Sequence, residues 1–212
     1  MKFETLPRLI LGSRSPQRRQ LLLQLIPEDR ILIDPPADCS EEQLDQVYEF
    51  PQIEKKLRQI ARLKNEQVSQ QSSFQQGDLL LTADTVIVCR NSLKDFRVLG
   101  QPPQDHWEQA VRDWFTLHYS GRTHWAVSAV CFRNQQGRLF EVTVTSSIRM
   151  RHLTEAEIED YLRTRESQGK AGGYAIQGLA SSFVSQIQGS LSNIIGLPMD
   201  EVRLLLQNSL NI

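Results

Sequence analysis

Four parts of the chain hold residues suited to chemistry: Asp84, the polar turn from Gly12 to Arg19, Lys64, and the glycine-rich stretch around Lys170 and Gln177. Asp84 interrupts an apolar run, Leu79-Leu-Leu-Thr-Ala-Asp-Thr-Val-Ile-Val-Cys89. A carboxylate inside such a run is costly to bury unless it is paired, hydrogen-bonded or on a metal. That makes Asp84 the best single candidate for chemistry, with a structural hydrogen bond as the alternative. The polar turn follows Leu9-Ile-Leu11, which reads as a buried strand. Ser15 is a good N-cap, Pro16 suits the first helical position, and Leu21, Leu22 and Leu25 supply an apolar face. The turn therefore offers the hydroxyls of Ser13 and Ser15, free backbone N–H groups, and Arg14, Arg18 and Arg19. That set suits an anion with several oxygens, such as a phosphate chain. It lacks the spacing of a P-loop or of a dinucleotide fold, so a solvated basic first turn is the alternative. Lys64 lies on the mainly apolar side of a helix predicted over residues 52–68. A lysine there either snorkels to water or points into a site. Glycines 169, 172, 173, 178, 189 and 196 let the backbone of residues 166–198 turn and approach a ligand, with Lys170 as a point charge and Gln177 just beyond a short apolar stretch.

Composition narrows the class. The chain has 212 residues, enough for a real core, and a formal charge of −1. A balance so close to zero implies no surface for a nucleic-acid polymer, although local basic sites remain open. No apolar run approaches the length of a membrane span, and the N-terminus has no signal-peptide core. Cys39, Cys89 and Cys131 are odd in number and widely spaced, which argues against a disulfide framework or structural zinc and fits a reducing cytoplasm. Cys89 and Cys131 read as free buried thiols. His106, His118, His124 and His152 show no metal-ligand spacing and read as surface or hydrogen-bonded residues.

The elements that must position these residues follow from periodicity. A strand is expected at Arg30–Asp34, an acidic loop with a weak helix over 37–50, a core strand over 79–89, and a hairpin turn or exposed loop over 90–98. Asp105 and Glu108 have the spacing of a capping box, opening a helix whose stripe of Trp107, Ala110, Val111, Trp114 and Phe115 reads as core. Residues 125–132 and 140–150 predict an antiparallel hairpin, hence a mixed sheet. Thr154 and Glu157 form a second capping box for a helix to about Arg163, and a closing helix spans 199–207.

Three separated segments resemble the signatures of the Maf family of nucleoside triphosphate pyrophosphatases. They are Leu9-Ile-Leu-Gly-Ser-Arg-Ser-Pro-Gln-Arg-Arg19, Ala83-Asp-Thr85 and Gly169-Lys-Ala-Gly-Gly-Tyr-Ala-Ile-Gln-Gly178. Ala61-Arg-Leu-Lys64, Leu99-Gly-Gln-Pro102, Ser120-Gly-Arg-Thr-His124 and Gly189-Ser-Leu-Ser-Asn-Ile-Ile-Gly-Leu-Pro198 support them in the family's order. The resemblance implies a single α/β domain over residues 1–212, with a mixed twisted sheet, flanking helices and two lobes around a central cleft. It also implies a cytoplasmic homodimer that hydrolyses a nucleoside triphosphate to the monophosphate and pyrophosphate with a divalent metal, Mg or Mn. On that resemblance Asp84 orients or deprotonates water and binds the metal. Lys64 and Gln177 complete the catalytic set, and Ser13, Arg14, Arg18, Thr85 and Lys170 bind phosphates. Arg18 and Lys170 are expected in the cleft rather than the core. Ala-Asp-Thr and Ile-Gln-Gly resemble the branch acting on dTTP and UTP, which removes surplus or modified nucleotides. The alternatives are the branch acting on methylated guanine nucleotides and a catalytically weak nucleotide-binding regulator of cell division. Four positions depart from the pattern: Gln17 and Gln101 stand where cations are usual, Asp38-Cys39 where an acidic pair is usual (with Glu41 or Glu42 as a replacement), and Leu191 where a tyrosine is usual. Arg14, with Arg19 beside Arg18, is the expected compensation for Gln17.

Overall fold

The computed structural model describes residues 6–37, 49–91 and 95–209. Seven strands join one sheet: β1 (Leu9–Leu11), β2 (Ile31–Ile33), β3 (Leu79–Arg90), β4 (Phe96–Leu99), β5 (Thr123–Arg133), β6 (Leu139–Met150) and β7 (Val184–Gln188). Their order is β2-β1-β3-β5-β6-β7, with β4 also on β3. β1 runs parallel to β2 and β3, and the remaining pairings are antiparallel, so the sheet is mixed as expected.

The long central strand β3 is apolar on both faces because both are covered. Its even positions face α2 (Phe50–Ser69): Val86 and Val88 pack with Ile53, Leu57 and Ile60, and the Thr82 hydroxyl donates to the Ala61 carbonyl at 2.7 Å. Its odd positions face two separate lobes of core. Leu79, Leu81 and Ala83 join α1 (Pro16–Leu22) and the closing helix α6 (Met199–Ser209). Ile87 and Cys89 join α3 (Trp107–Trp114) and α4 (Glu155–Thr164). A short helix α5 (Leu191–Ile195) packs on β5 and β6 between the lobes.

One edge of β3 is interrupted. β1 pairs only with Leu79–Leu81, and β4 begins only opposite Ile87. Residues 82–86 therefore have no strand neighbour on that side among the described residues. Successive side chains alternate across a strand, so the notch brings Asp84, on the α2 face, and Thr85, on the face of the two lobes, to one opening.

Several expectations change. Of the two expectations for residues 90–98 the hairpin holds and the exposed loop does not: Phe96–Leu99 forms β4, antiparallel to Ile87–Arg90. Phe96 packs edge-on to Phe50 and Trp125 at ring separations of 5.2 and 5.8 Å, which holds so short a strand in place. The capping box at Asp105 does not form. The N-cap is His106 in a left-handed conformation, φ 63°, without a side-chain bond, so the chain enters the helix one residue late and at the wrong angle. The box at Thr154–Glu157 does form. Beyond α3 the chain loosens into a π-turn, Phe115–Tyr119, and β7 and α5 emerge from a segment whose glycines and serines hide them. His124 is buried and hydrogen-bonded, as expected. His118 is instead buried with Nε2 lacking a partner among the described residues, pressed into the core by the π-turn. Cys89 and Cys131 are free and buried, and burial pushes the Cys131 thiol up to about 12. Among the described residues no helix is long and apolar enough to cross a membrane.

Candidate active site

The notch opens into a cleft of about 1080 Å³. Ser13, Arg14, Arg18, Lys64, Asp84, Thr85, Lys170 and Gln177 all line it, although they come from four separate stretches of chain. Arg97 of β4 lines it as well, so five cations surround one carboxylate among the described residues.

Each side chain is placed by a specific element. The helix α1 starts at Ser15, whose hydroxyl accepts from the Arg18 N–H at 3.3 Å, and this turns Arg18 under the sheet edge. Its guanidinium is tied to the main chain. Nε donates to the Gly196 carbonyl at 2.9 Å, and Nη1 to the Ala83 carbonyl at 2.8 Å and to Ser13 Oγ at 3.1 Å. Nη2 donates to Thr85 Oγ1 at 3.1 Å. Four of its five N–H donors are therefore occupied. Burial lowers its pKa, opposed by Asp84, and the group remains a cation. Arg18 lies in the cleft as expected, but it is also a clasp joining β3, α1 and the turn after α5, which a cleft residue independent of the core would not be.

Ser13 Oγ accepts from Arg18 and, at 3.2 Å, from the Ser15 N–H, so its own proton is left to donate. Thr85 Oγ1 lies 2.9 Å from Ser128 Oγ and 3.3 Å from the Gly196 carbonyl. Gly12 permits this packing: a Cβ there would meet Thr82 Cγ2 at 2.6 Å, where α2 and β3 close on the turn. On the α2 face, Lys64 points into the site and forms a short ion pair with Asp84 Oδ1, both groups about three-quarters buried. That ion pair resolves the burial of the carboxylate.

The opposite wall is different. Lys170 is half-buried and Gln177 exposed, and neither side chain has a hydrogen bond or ion pair among the described residues. Arg14 is exposed at the rim and equally unpaired. Arg19 instead pairs with Glu28 away from the cleft, so it does not replace the cation lost at Gln17. Gln17 and Gln101 both line the cleft, and Gln17 Oε1 accepts from Ser15 Oγ at 3.2 Å. Leu191 is exposed at the first position of α5. Asp38, Cys39, Glu41 and Glu42 lie outside the described residues.

Residues 8–209 match the family model described as Maf-like protein. The chain belongs to the Maf family. A dTTP/UTP pyrophosphatase of Cereibacter sphaeroides is 39% identical to this Maf chain over 203 residues, 93% of each. Another, of Brucella abortus, is 40% identical over 197 residues, covering 92% of this chain and 88% of the relative. A solved nucleoside-triphosphatase / dITP/XTP pyrophosphatase of Mycobacterium abscessus aligns with 96% of the chain and 95% of its own at 11% identity and a TM-score of 0.38, too distant to carry weight.

Arg97, which the sequence pattern had concealed in an assumed loop, is the main residue added to this Maf cleft. Its signal was the alternation of Phe96, Arg97 and Val98, short but strand-like. Among the described residues no group of three or more His, Cys, Asp or Glu gathers. Asp84 nevertheless keeps one oxygen that Lys64 does not take. One carboxylate with substrate phosphates is a usual set for Mg²⁺, so the donors present fit a cation that arrives with the triphosphate.

Proposed function

We propose that this Maf protein hydrolyses dTTP and UTP to the monophosphate and pyrophosphate, removing surplus or modified pyrimidine nucleotides. The observation that carries the reading is the cleft itself: among the described residues five cations face one carboxylate, a balance that suits a triphosphate better than a neutral substrate. Relatives near 40% identity over almost the whole chain are named dTTP/UTP pyrophosphatases, which supports the choice of substrate.

In this reading Lys170 and Arg14, whose side chains have no partner among the described residues, neutralise the triphosphate, and Ser13 donates its proton to a phosphate oxygen. Arg18 and Thr85 hold the floor. Asp84 accepts a proton from the attacking water, which Gln177 helps to orient, while Lys64 fixes the carboxylate. The oxygen of water bonds to the α-phosphorus, the bond to the bridging oxygen breaks, and pyrophosphate leaves. Asp84 and the substrate phosphates would hold Mg²⁺ or Mn²⁺, which would supply charge neutralisation at the leaving group. The chain acts as one domain over residues 1–212 and as a cytoplasmic homodimer, to which the free thiols of Cys89 and Cys131 are suited.

Pyrophosphate release from dTTP, UTP, the other canonical triphosphates and 7-methyl-GTP, with Mg²⁺ or Mn²⁺, tests the reading. dTTP and UTP are expected to turn over fastest. Preference for the methylated guanine nucleotide, or binding without turnover, overturns it in favour of the two alternatives.

A further inference from the structure

Three buried tyrosines converge on the segment that carries Lys170 and Gln177. The Tyr119 hydroxyl donates to the Gly172 carbonyl at 2.7 Å. The Tyr161 hydroxyl accepts from the Ala175 N–H at 3.1 Å. Tyr174 belongs to the segment itself and turns inward, its hydroxyl 2.8 Å from Nε2 of buried His124. From the other side, the Gly172 N–H donates to the Gly100 carbonyl at 2.8 Å. The rings form one aromatic cluster: Phe115 lies 5.2 Å from both Tyr119 and Tyr161 and 6.4 Å from Tyr174.

Two local features make this fit possible. The π-turn Phe115–Tyr119, closed by the Ser120 N–H on the Phe115 carbonyl at 2.8 Å, swings Tyr119 to the loop instead of along the helix face. Gly172 has φ 71°, and a Cβ there would meet Tyr119 Oη at 2.8 Å and Ile87 Cγ1 at 2.5 Å. The segment is therefore clamped at three positions, through the backbone of Gly172 and Ala175 and through the side chain of Tyr174, between two site residues whose side chains have no partners among the described residues. Burial alone would not require two tyrosine hydroxyls to meet this loop's backbone and a third to tie the loop to His124.

Resting on the function proposed above, we infer that Tyr119, Tyr161 and Tyr174 are positioning residues, fixing Lys170 and Gln177 against the triphosphate through the loop backbone. Preorganisation of this kind is felt in activity well before it is felt in folding.

Tyr119→Phe and Tyr161→Phe each remove one oxygen and keep the ring, and the second repeats the test if the first fails to fold. Each is expected to lower kcat/KM about tenfold and to speed amide hydrogen exchange across residues 170–177, with near-native melting. Tyr119→Phe is expected to cost clearly less in the Lys170→Ala background than in the wild type, since part of its effect passes through Lys170 and the rest through Gln177. Effects that multiply overturn the inference, as does wild-type kinetics in the tyrosine variants. Unchanged exchange across 170–177 overturns it whatever the wild-type activity, whereas absence of wild-type turnover alone refutes only the proposed function.

Discussion

On one wall of the cleft Ser13, Arg18, Lys64, Asp84 and Thr85 bond to one another or to the main chain. On the other, the side chains of Lys170, Gln177 and Arg97 make no hydrogen bond or ion pair among the described residues. The first wall is built largely from strand and helix, and each of its polar side chains already has a protein partner while keeping a free donor or acceptor at Ser13 and Asp84. The second is a loop and a short edge strand whose charges wait for a partner. Rigid elements hold a reacting group to tight geometry, whereas loops carry exposed charge at little cost to the fold. Function and stability should therefore be coupled on the first wall and separable on the second.

The largest effect should come from the first wall. Asp84→Asn keeps the shape of the side chain and removes the proton acceptor, so turnover should fall on the order of a hundredfold or more in a folded protein. Near-normal turnover removes Asp84 from the mechanism. Arg18→Ala should damage both properties. It leaves the Ala83 carbonyl without its donor and the Gly196 carbonyl with only the longer bond from Thr85, for a loss of roughly 2–4 kcal/mol in chemical denaturation together with activity. A fully stable Arg18→Ala protein would break the comparison.

Acid should act behind the second wall. Burial lowers the His124 pKa to about 3, and burial, with Arg97 and Arg122, lowers that of His118. The unfolded chain takes up protons that the folded chain refuses. Stability is therefore complete above the unfolded value near 6.5 and is lost as pH falls below it, with a slope approaching about 1.4 kcal/mol per pH unit from His124 and a contribution of the same sign from His118. Denaturation at about pH 7 and about pH 5 checks this, and His124→Gln should flatten the slope. Lys170→Ala comes next: KM for the triphosphate should rise about tenfold with melting unchanged, the charge-assisted bond being worth roughly 1.5–3 kcal/mol. The smallest effect belongs to the rim. Arg14→Ala should cost a few-fold in kcat/KM and Gln17→Arg change little. A strong gain from Gln17→Arg with no loss from Arg14→Ala shows that the site is attenuated rather than compensated.

The first wall was largely legible in the sequence because its signals are local. Asp84 breaks an apolar run, and Ser15-Pro16 opens a helix in the way that the capping bond confirms. Lys64 could be assigned only to the apolar side of α2, and its partner lay 20 residues away, so the ion pair needed the fold. The second wall was legible only as glycine and charge. Arg97 was missed because a four-residue strand beside a turn has too few alternations to register. The tyrosine contacts were missed because they depend on a π-turn and a left-handed glycine, and neither has a periodicity. Asp105 and Glu108 had the spacing of a capping box without its backbone angles, which spacing does not set.

The central claim is that Asp84 directs water at the α-phosphorus. Hydrolysis of UTP in ¹⁸O-labelled water reads this directly. One labelled oxygen is expected in the UMP and none in the pyrophosphate, with loss of both products in Asp84→Asn. Label in the pyrophosphate, or orthophosphate and UDP as products, would contradict it.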